Sequence, residues 1–453
     1  MGWLALAYVL VLWGISWVVN RRARLASLDT FYVAQRKAHW LWVGYSMVGT
    51  ALSALTFLSI PGSVRADGWT YLQVVCGYFL GYVGVAFGLL PLYYAHARAS
   101  VYEYFRHTLG RTAEKTAALF FLFSRSIGSS LRLFLALWVL HRFFSPVPFP
   151  VLAAAALFLI ILYTLQSGIA VIIYTDFFQT TVFLGAAFLT AVYLLQYPLG
   201  QLEIPTLIDP VPESPHFWIK DVVAGALIAF SMTGLDQDQM QKNLSLPSLR
   251  AAQKNLLLYG VLLFPVNLLF LWLGTVLWAY ADWACLSVPP DFLFASVVER
   301  EGRGLQALFI LGVAAAALSS ADGTLTALTT ATLRNLFPSR WETTRMKNVV
   351  LLGWAGIFWL LMMGYLYLPQ ERSIITAFLR FSGYTYGPLL GLFLFSRVVR
   401  KGEYAFVGWA LPLFLGVAIV GERLIGEAAG YLSILWTTAV TVGGLITIQA
   451  CRR

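Results

Sequence analysis

Residues 311–334 read LGVAAAALSSADGTLTALTTATLR, an apolar run in which Ser319, Ser320, Asp322, Thr324 and Thr326 stand among small side chains. The run is apolar enough for a lipid bilayer. A carboxylate or hydroxyl left unpaired in hydrocarbon costs several kcal/mol, so these groups have to face a protein interior or a water-filled cavity. Small residues with Ser and Thr also suit the close packing of membrane helices. Asp322 shifts the reading toward chemistry: three positions after Ser319, it shares that residue's helical face, and something polar must meet it.

Other segments offer partners. YTDFFQ, residues 174–179, sets Asp176 and Gln179 on one face a few residues inside a span, at a depth similar to that of Asp322. Two carboxylates at one depth point to a shared cation or a hydrogen-bond network. Residues 115–140 carry Arg125 and Arg132 on one face, each about ten or more residues from the nearest polar end, too far to snorkel. At least one should face a cavity, and a buried guanidinium calls for a carboxylate. In residues 40–60, Gly49, Thr50, Ser53 and Thr56 interrupt an apolar run that Pro61-Gly62 is expected to end. Two readings fit that interruption: a helix unwound at mid-membrane, whose freed carbonyls ligate a cation, or a packing groove. Tyr71, Gln73 and Tyr78 in residues 69–95, and Tyr384 and Tyr386 beside a bend at Gly387-Pro388, are further lining candidates.

The elements that position these groups follow from composition. The chain has 453 residues, of which 59% are hydrophobic and only 11% charged, with a mean hydropathy of +0.74, which excludes a soluble globular protein. Thirteen apolar segments of spanning length can be marked, so the expected class is an all-α polytopic membrane protein in the plasma membrane. Six alternate connections, residues 21–39, 96–115, 238–254, 334–347, 397–402 and the tail, hold most of the loop Lys and Arg. Basic loops stay cytoplasmic, so the N-terminus is expected outside and the C-terminus inside. The net charge of +10 is therefore a topology signal, and no nucleic-acid stripe is present. The connector ASVYEYFRHTLGRTAEK is expected to lie amphipathically at the cytoplasmic surface.

The Pro-rich, acidic segment 197–218 divides the chain. Five spans from residue 40 to 196 precede it and five from 219 to 396 follow, and an odd number makes the second set inverted. Residues 1–39 supply an extra helix and a loop, and 397–453 two last helices with a short tail expected to carry no further domain. The first span has neither a basic start nor a cleavage site and is expected to be retained. Inverted five-helix repeats place a site near the midplane, where the first helix of each half is broken. Cys76, Cys285 and Cys451 show no metal or disulfide spacing. His39, His96, His107, His141 and His216 fall in loops or at span ends without ligand spacing, which argues against an embedded enzyme centre.

Taken together, SALTFLSIPG (53–62), SVYEYFRHTLG (100–110), YTDFFQ (174–179), GLDQDQMQKNL (234–244), AALSSADGTLTAL (316–328) and GYTYGPLLG (383–391) resemble the sodium:solute symporter family. The likeness covers most of the chain in order, and thirteen helices match its sialic-acid branch. It implies a leucine-transporter-type fold, one helix ahead of the repeats and two behind. It also implies a sodium ion held by the backbone carbonyls of Gly49, Leu52 and Ala316 with the hydroxyls of Ser319 and Ser320. Gly49 stands where relatives often have Ala. Some relatives hold a second sodium with an Asp matching Asp176 and with Ser residues that are Asp322 and Gly323 here, so these two aspartates mark a possible second cation or proton site. For the solute, the likeness implies Ser53, Thr56 and Arg125, with Gln73 and Tyr71 as weaker candidates and Arg132 able to exchange roles with Arg125.

The expected function is sodium-coupled symport of a small organic solute, an organic anion being favoured, by alternating access in a protein that works as a monomer in the bilayer. Proton coupling through Asp176 and Asp322 is the alternative within transporters. A polytopic membrane enzyme is the alternative outside them.

Overall fold

The computed structural model describes residues 2–22, 27–52, 54–97, 99–144, 146–166, 168–200, 202, 205–214, 216–367, 374–425 and 432–452. Among these, all regular structure is helical. Seven helices are long and apolar enough to cross a membrane by themselves, including Arg111–His141, Ile169–Leu194, Leu249–Trp283 and Arg303–Leu336. Trp218–Thr233 and Gln237–Leu244, bent by 70°, pass that measure together as an eighth. Helices occupy the other expected positions without meeting it, Phe149–Thr164 and Val407–Ile425 among them.

The first expected break is present. Helix Trp40–Ala51 stops where Leu52 turns extended at φ −80° and ψ 113°, and Ala54–Asp67 continues the path. Pro61 does not end this rod, contrary to expectation; the helix runs six residues further, to Asp67. Proline removes one backbone donor, that to Phe57 O, and the helix continues with Trp278 Nε1 of Leu249–Trp283 donating to Gly62 O at 3.0 Å. The helix Ile374–Val398 likewise continues through Pro388.

The second break lies at residues 234–236. Backbone groups freed inside a membrane protein need internal partners, and buried tyrosines supply them. Tyr93 donates to Gly234 O at 2.7 Å and Tyr102 to Leu235 O at 2.9 Å. Asp236 then caps Gln237–Leu244, its Oδ1 accepting from the backbone N–H groups of Asp238 and Gln239. Tyr102 belongs to the cytoplasmic connector of the sequence reading, which proves more interior than expected: helix Glu103–Leu109 exposes Arg106 and His107, whereas Tyr102, Tyr104 and Phe105 are buried.

Helix Arg303–Ala331 lies inside the bundle, buried without interruption from Ala315 to Ala331. That burial explains how so many hydroxyls and a carboxylate sit in an apolar helix: protein, not lipid, surrounds them. Several are bonded along the helix or across it, as Thr329 Oγ1 is to Leu325 O at 2.8 Å.

Candidate functional site

Where the first rod breaks, the end of Trp40–Ala51 meets the middles of Ile169–Leu194 and Arg303–Ala331. A methyl group on Gly49 would collide with Thr180 Oγ1 and stand 3.1 Å from Ser319 Oγ. The end of Trp40–Ala51 therefore faces Ile169–Leu194 and Arg303–Ala331 at this point. Leu52, Ala316, Ser319 and Ser320 are all buried. Thr180 Oγ1, Ser319 Oγ and Asp176 Oδ1 are buried oxygens with no hydrogen-bond partner outside their own group, in which the Ser319 hydroxyl stands beside the Asp176 carboxylate. Orphaned buried acceptors are rare. A cluster of three, next to a helix end with free carbonyls, fits a hard alkali cation, which binds through oxygen and brings no protons of its own.

Lys242 enters this chamber from the second broken rod. Its Nζ pairs with Asp176 Oδ2, donates to Thr50 Oγ1 and lies 3.4 Å from Ser46 O. Lys242 and Asp176 are both fully buried. The sequence reading counted Lys242 with the cytoplasmic basic loops; the structure corrects this, because the 70° bend turns Gln237–Leu244 inward. Asp322 lies near the same pair. Its Oδ2 accepts from Tyr163 at 2.7 Å, and its Oδ1 from the N–H of Gly323. The first helix, Gly2–Arg22, closes the far side, with Tyr8 accepting from Gln179 Nε2 at 3.1 Å and Ser16 donating to Tyr163 O at 2.9 Å.

A cavity of about 520 Å³ opens from the first break. Thr50, Leu52, Thr56, Ser59, Gln239 and Asn267 line it, tyrosines 71, 78, 82 and 259 add rings and hydroxyls, and Asp67 and Asp291, at the far end of Ala54–Asp67 and beside it, line it as well. Arg125 and Arg132 both reach its wall. Arg125 is engaged: its Nε is 2.9 Å from Asp236 Oδ2, and its Nη2 donates to Asp238 Oδ2 at 3.3 Å. Tyr386 also donates to Asp236, and Thr324 to Asp238 at 2.9 Å. Gly323 leaves room for this second carboxylate, since a methyl there would stand 2.6 Å from Asp238 Oδ1. Arg132 Nε lies 3.4 Å from Gly128 O.

Of the solute candidates, the structure brings Thr56, Tyr71 and Arg125 to this cavity. Ser53 lies outside the described residues. Gln73 is placed elsewhere: its amide donates to His216 O at 3.1 Å and accepts from Asp209 N at 3.1 Å, pinning the segment 197–218. Tyr386 lies at the ion pairs. Thr180, Asp236, Asp238 and Lys242 were not singled out from the sequence. GLDQDQMQKNL was quoted as a likeness, and its charges were the available signal.

Comparisons with known proteins bear on this geometry. A model described as the sodium:solute symporter family matches residues 31–203. The human sodium/iodide cotransporter is 23% identical, covering 93% of this chain and 70% of its own. The sodium/sialic acid symporter of Proteus mirabilis (strain HI4320) is 24% identical, covering 94% and 90%. A solved structure of a Na⁺-coupled sialic acid symporter, in a substrate-bound outward-open state with a novel Na⁺-site, matches with a TM-score of 0.82 at 18% identity, over 99% of this chain and 97% of that one. Mhp1, a nucleobase-cation-symport-1 family transporter, matches at 0.60 and 14% identity, over 93% and 94%. The fold is of the leucine-transporter type, all-helical with broken helices at its centre.

Proposed function

We propose that the chain, which the sodium:solute symporter family model matches over residues 31–203 and which resembles sodium-coupled symporters along most of its length, couples inward sodium movement to the import of a small, polar, carboxylate-bearing solute. It is a multi-pass membrane transporter and not an enzyme. The observation that carries the reading is the group of buried oxygens with no partner outside the group, Thr180 Oγ1, Ser319 Oγ and Asp176 Oδ1, at the broken end of Trp40–Ala51. Sodium there, with the carbonyls of Gly49, Leu52 and Ala316 and the hydroxyl of Ser320 as its further ligands, fixes the break against Arg303–Ala331. The same break lines the cavity through Thr50 and Leu52, so ion binding organises Thr56 for solute.

The hydroxyl- and amide-rich lining suits a polyhydroxylated or similarly polar solute. Two arginines give the cavity its cationic wall, but Asp236 and Asp238 take up the charge of Arg125. Arg132, which lines the same cavity as Thr56 and Tyr71, is assigned to the solute carboxylate, and Arg125 to holding the second break in place. The N-terminus is assigned to the outside and the C-terminus to the cytoplasm, which makes the end marked by Asp67 and Asp291 the outer mouth. Division at residues 197–218 into two five-helix repeats, and function as a monomer, complete the proposal. A voltage of 100 mV contributes about 2.3 kcal/mol per charge, so one sodium with a monoanion moves without electrical drive.

The test is thermal stabilisation of the purified protein by sodium and by a panel of carboxylated sugars, amino acids and neutral sugars. Sodium should raise the melting temperature, and carboxylated solutes should raise it further only when sodium is present. Stabilisation by neutral sugars alone would remove the role of Arg132. No response to sodium would remove the ion position.

A further inference from the structure

We propose that the Lys242 ammonium is a tethered second cation, which holds the Oδ2 side of Asp176 so that one sodium ion, not two, binds per chain. The inference rests on the sodium-coupled reading above. Lysine is almost never fully buried unless paired, and here the side chain has no exposed surface at all. An ammonium carries three donors. Those of Lys242 are directed to a carboxylate oxygen of Asp176, the hydroxyl of Thr50 and, at 3.4 Å, the backbone carbonyl of Ser46. Carboxylate, hydroxyl and carbonyl are also the oxygen types that a bare alkali ion would collect. Two of the three come from Trp40–Ala51, the half-helix whose end forms the sodium position.

The two oxygens of Asp176 are thus divided. Oδ2 serves the fixed cation, whereas Oδ1 has no partner outside its group with Ser319 and Thr180 and is left with them for the mobile one. An additional alkali ion at Oδ2 would have to displace the ammonium or sit against it, and like charges in a buried chamber repel strongly. Lys242 is also mechanically placed to connect ion and solute. It rides on Gln237–Leu244, the helix that carries Asp238 and Gln239, while Asp236 caps its start. Movement of this short helix by solute would move the fixed charge against Asp176, and sodium binding would resist that movement.

Equilibrium binding of radioactive sodium to the purified full chain tests the inference without any solute. The wild-type chain should bind one ion with a simple saturation curve. Lys242→Met, which removes the ammonium and leaves Asp176, should bind two. Lys242→Met/Asp176→Asn should return to a single, weaker site. Two ions on the wild-type chain, or one ion at unchanged affinity on folded Lys242→Met, would overturn the proposal. If Lys242→Met does not fold, the wild-type count decides by itself, and the double variant, which removes both charges together, must not bind two. Absence of saturable sodium binding to the wild-type chain would instead overturn the sodium-coupled reading.

Discussion

The guanidinium of Arg125 stands 2.9 Å from the carboxylate of Asp236, the residue that caps the helix beyond the second break. This pair ties Arg111–His141 to the point where Trp218–Thr233 gives way to Gln237–Leu244. Removing one partner of a buried pair leaves an uncompensated charge, at a cost of about 3–5 kcal/mol. Arg125→Leu should therefore lower the melting temperature substantially, measured without solute. Arg132→Gln should instead leave sodium stabilisation in place and weaken binding of a carboxylated solute by roughly 10- to 100-fold, the loss of a charged hydrogen bond. Solute titrations that show the opposite assignment would return the carboxylate contact to Arg125.

The hydroxyls at the ion position should act on sodium and not on solute directly. Ser319→Ala and Thr180→Val should each raise the half-saturating sodium concentration about tenfold, on the order of one lost hydrogen bond or ligand contact. Sodium titration of the melting temperature reads this. An unchanged midpoint in both variants would place the ion elsewhere.

Gly49 and Thr180 are coupled by space. The sequence likeness makes alanine look harmless at position 49, yet a methyl there would collide with Thr180 Oγ1. Gly49→Ala should weaken sodium binding by displacing that hydroxyl. In Gly49→Ala/Thr180→Ala the collision is gone, so the two effects should add to less than their sum, as contacting residues do. A double-mutant cycle on sodium affinity measures the shortfall, and strict additivity would rule out the contact.

The tyrosines at the second break make a stability prediction. Tyr93→Phe and Tyr102→Phe each strip a donor from a buried carbonyl, a loss of about 1–3 kcal/mol. Both should melt earlier than the wild-type chain even in saturating sodium. No change in either would mean that water or another donor already serves Gly234 and Leu235.

The segment 197–218 is predicted to be held by Gln73 and by Asp209. Gln73→Ala should speed proteolytic cutting there while leaving sodium affinity unaltered. Asp209 accepts from Ser214 and from Val211 N, which holds its carboxyl below the usual range. A depressed value stabilises the folded loop above the ordinary carboxylate range and ceases to do so as pH falls through the folded value. Cutting by an acid protease should therefore accelerate only at the acidic end of a pH series, and Asp209→Asn should remove that dependence.

How much of this was readable without coordinates depends on the kind of group. The first break showed itself because Gly49, Thr50 and Thr56 are costly in an apolar helix unless used, and Ser319, Ser320 and Asp322 stood out for the same reason. Asp236, Asp238 and Lys242 were concealed by the opposite effect. SMTGLDQDQMQKNLS is so polar that it reads as water-facing, and only the 70° bend carries it into the bundle. The pairing of Arg125 was half legible: its burial demanded a carboxylate, but nothing in helical spacing names a partner 111 or 113 positions away. Thr180 had no signal at all, because a lone threonine in a membrane helix is ordinary until Gly49 is seen opposite it. Gln73 was misjudged because a polar residue in an apolar span can face a loop as well as a cavity.

The helix Gly2–Arg22 precedes the first break, yet its Tyr8 bonds Gln179 and its Ser16 bonds the backbone of Tyr163, the residue that donates to Asp322. It covers the Gln179 and Tyr163 side of the bundle. Shortening the chain ahead of Arg22 would uncork that side, giving water and stray ions a route to the two carboxylates that bypasses the gated path, and the cost would appear as sodium leak without cargo.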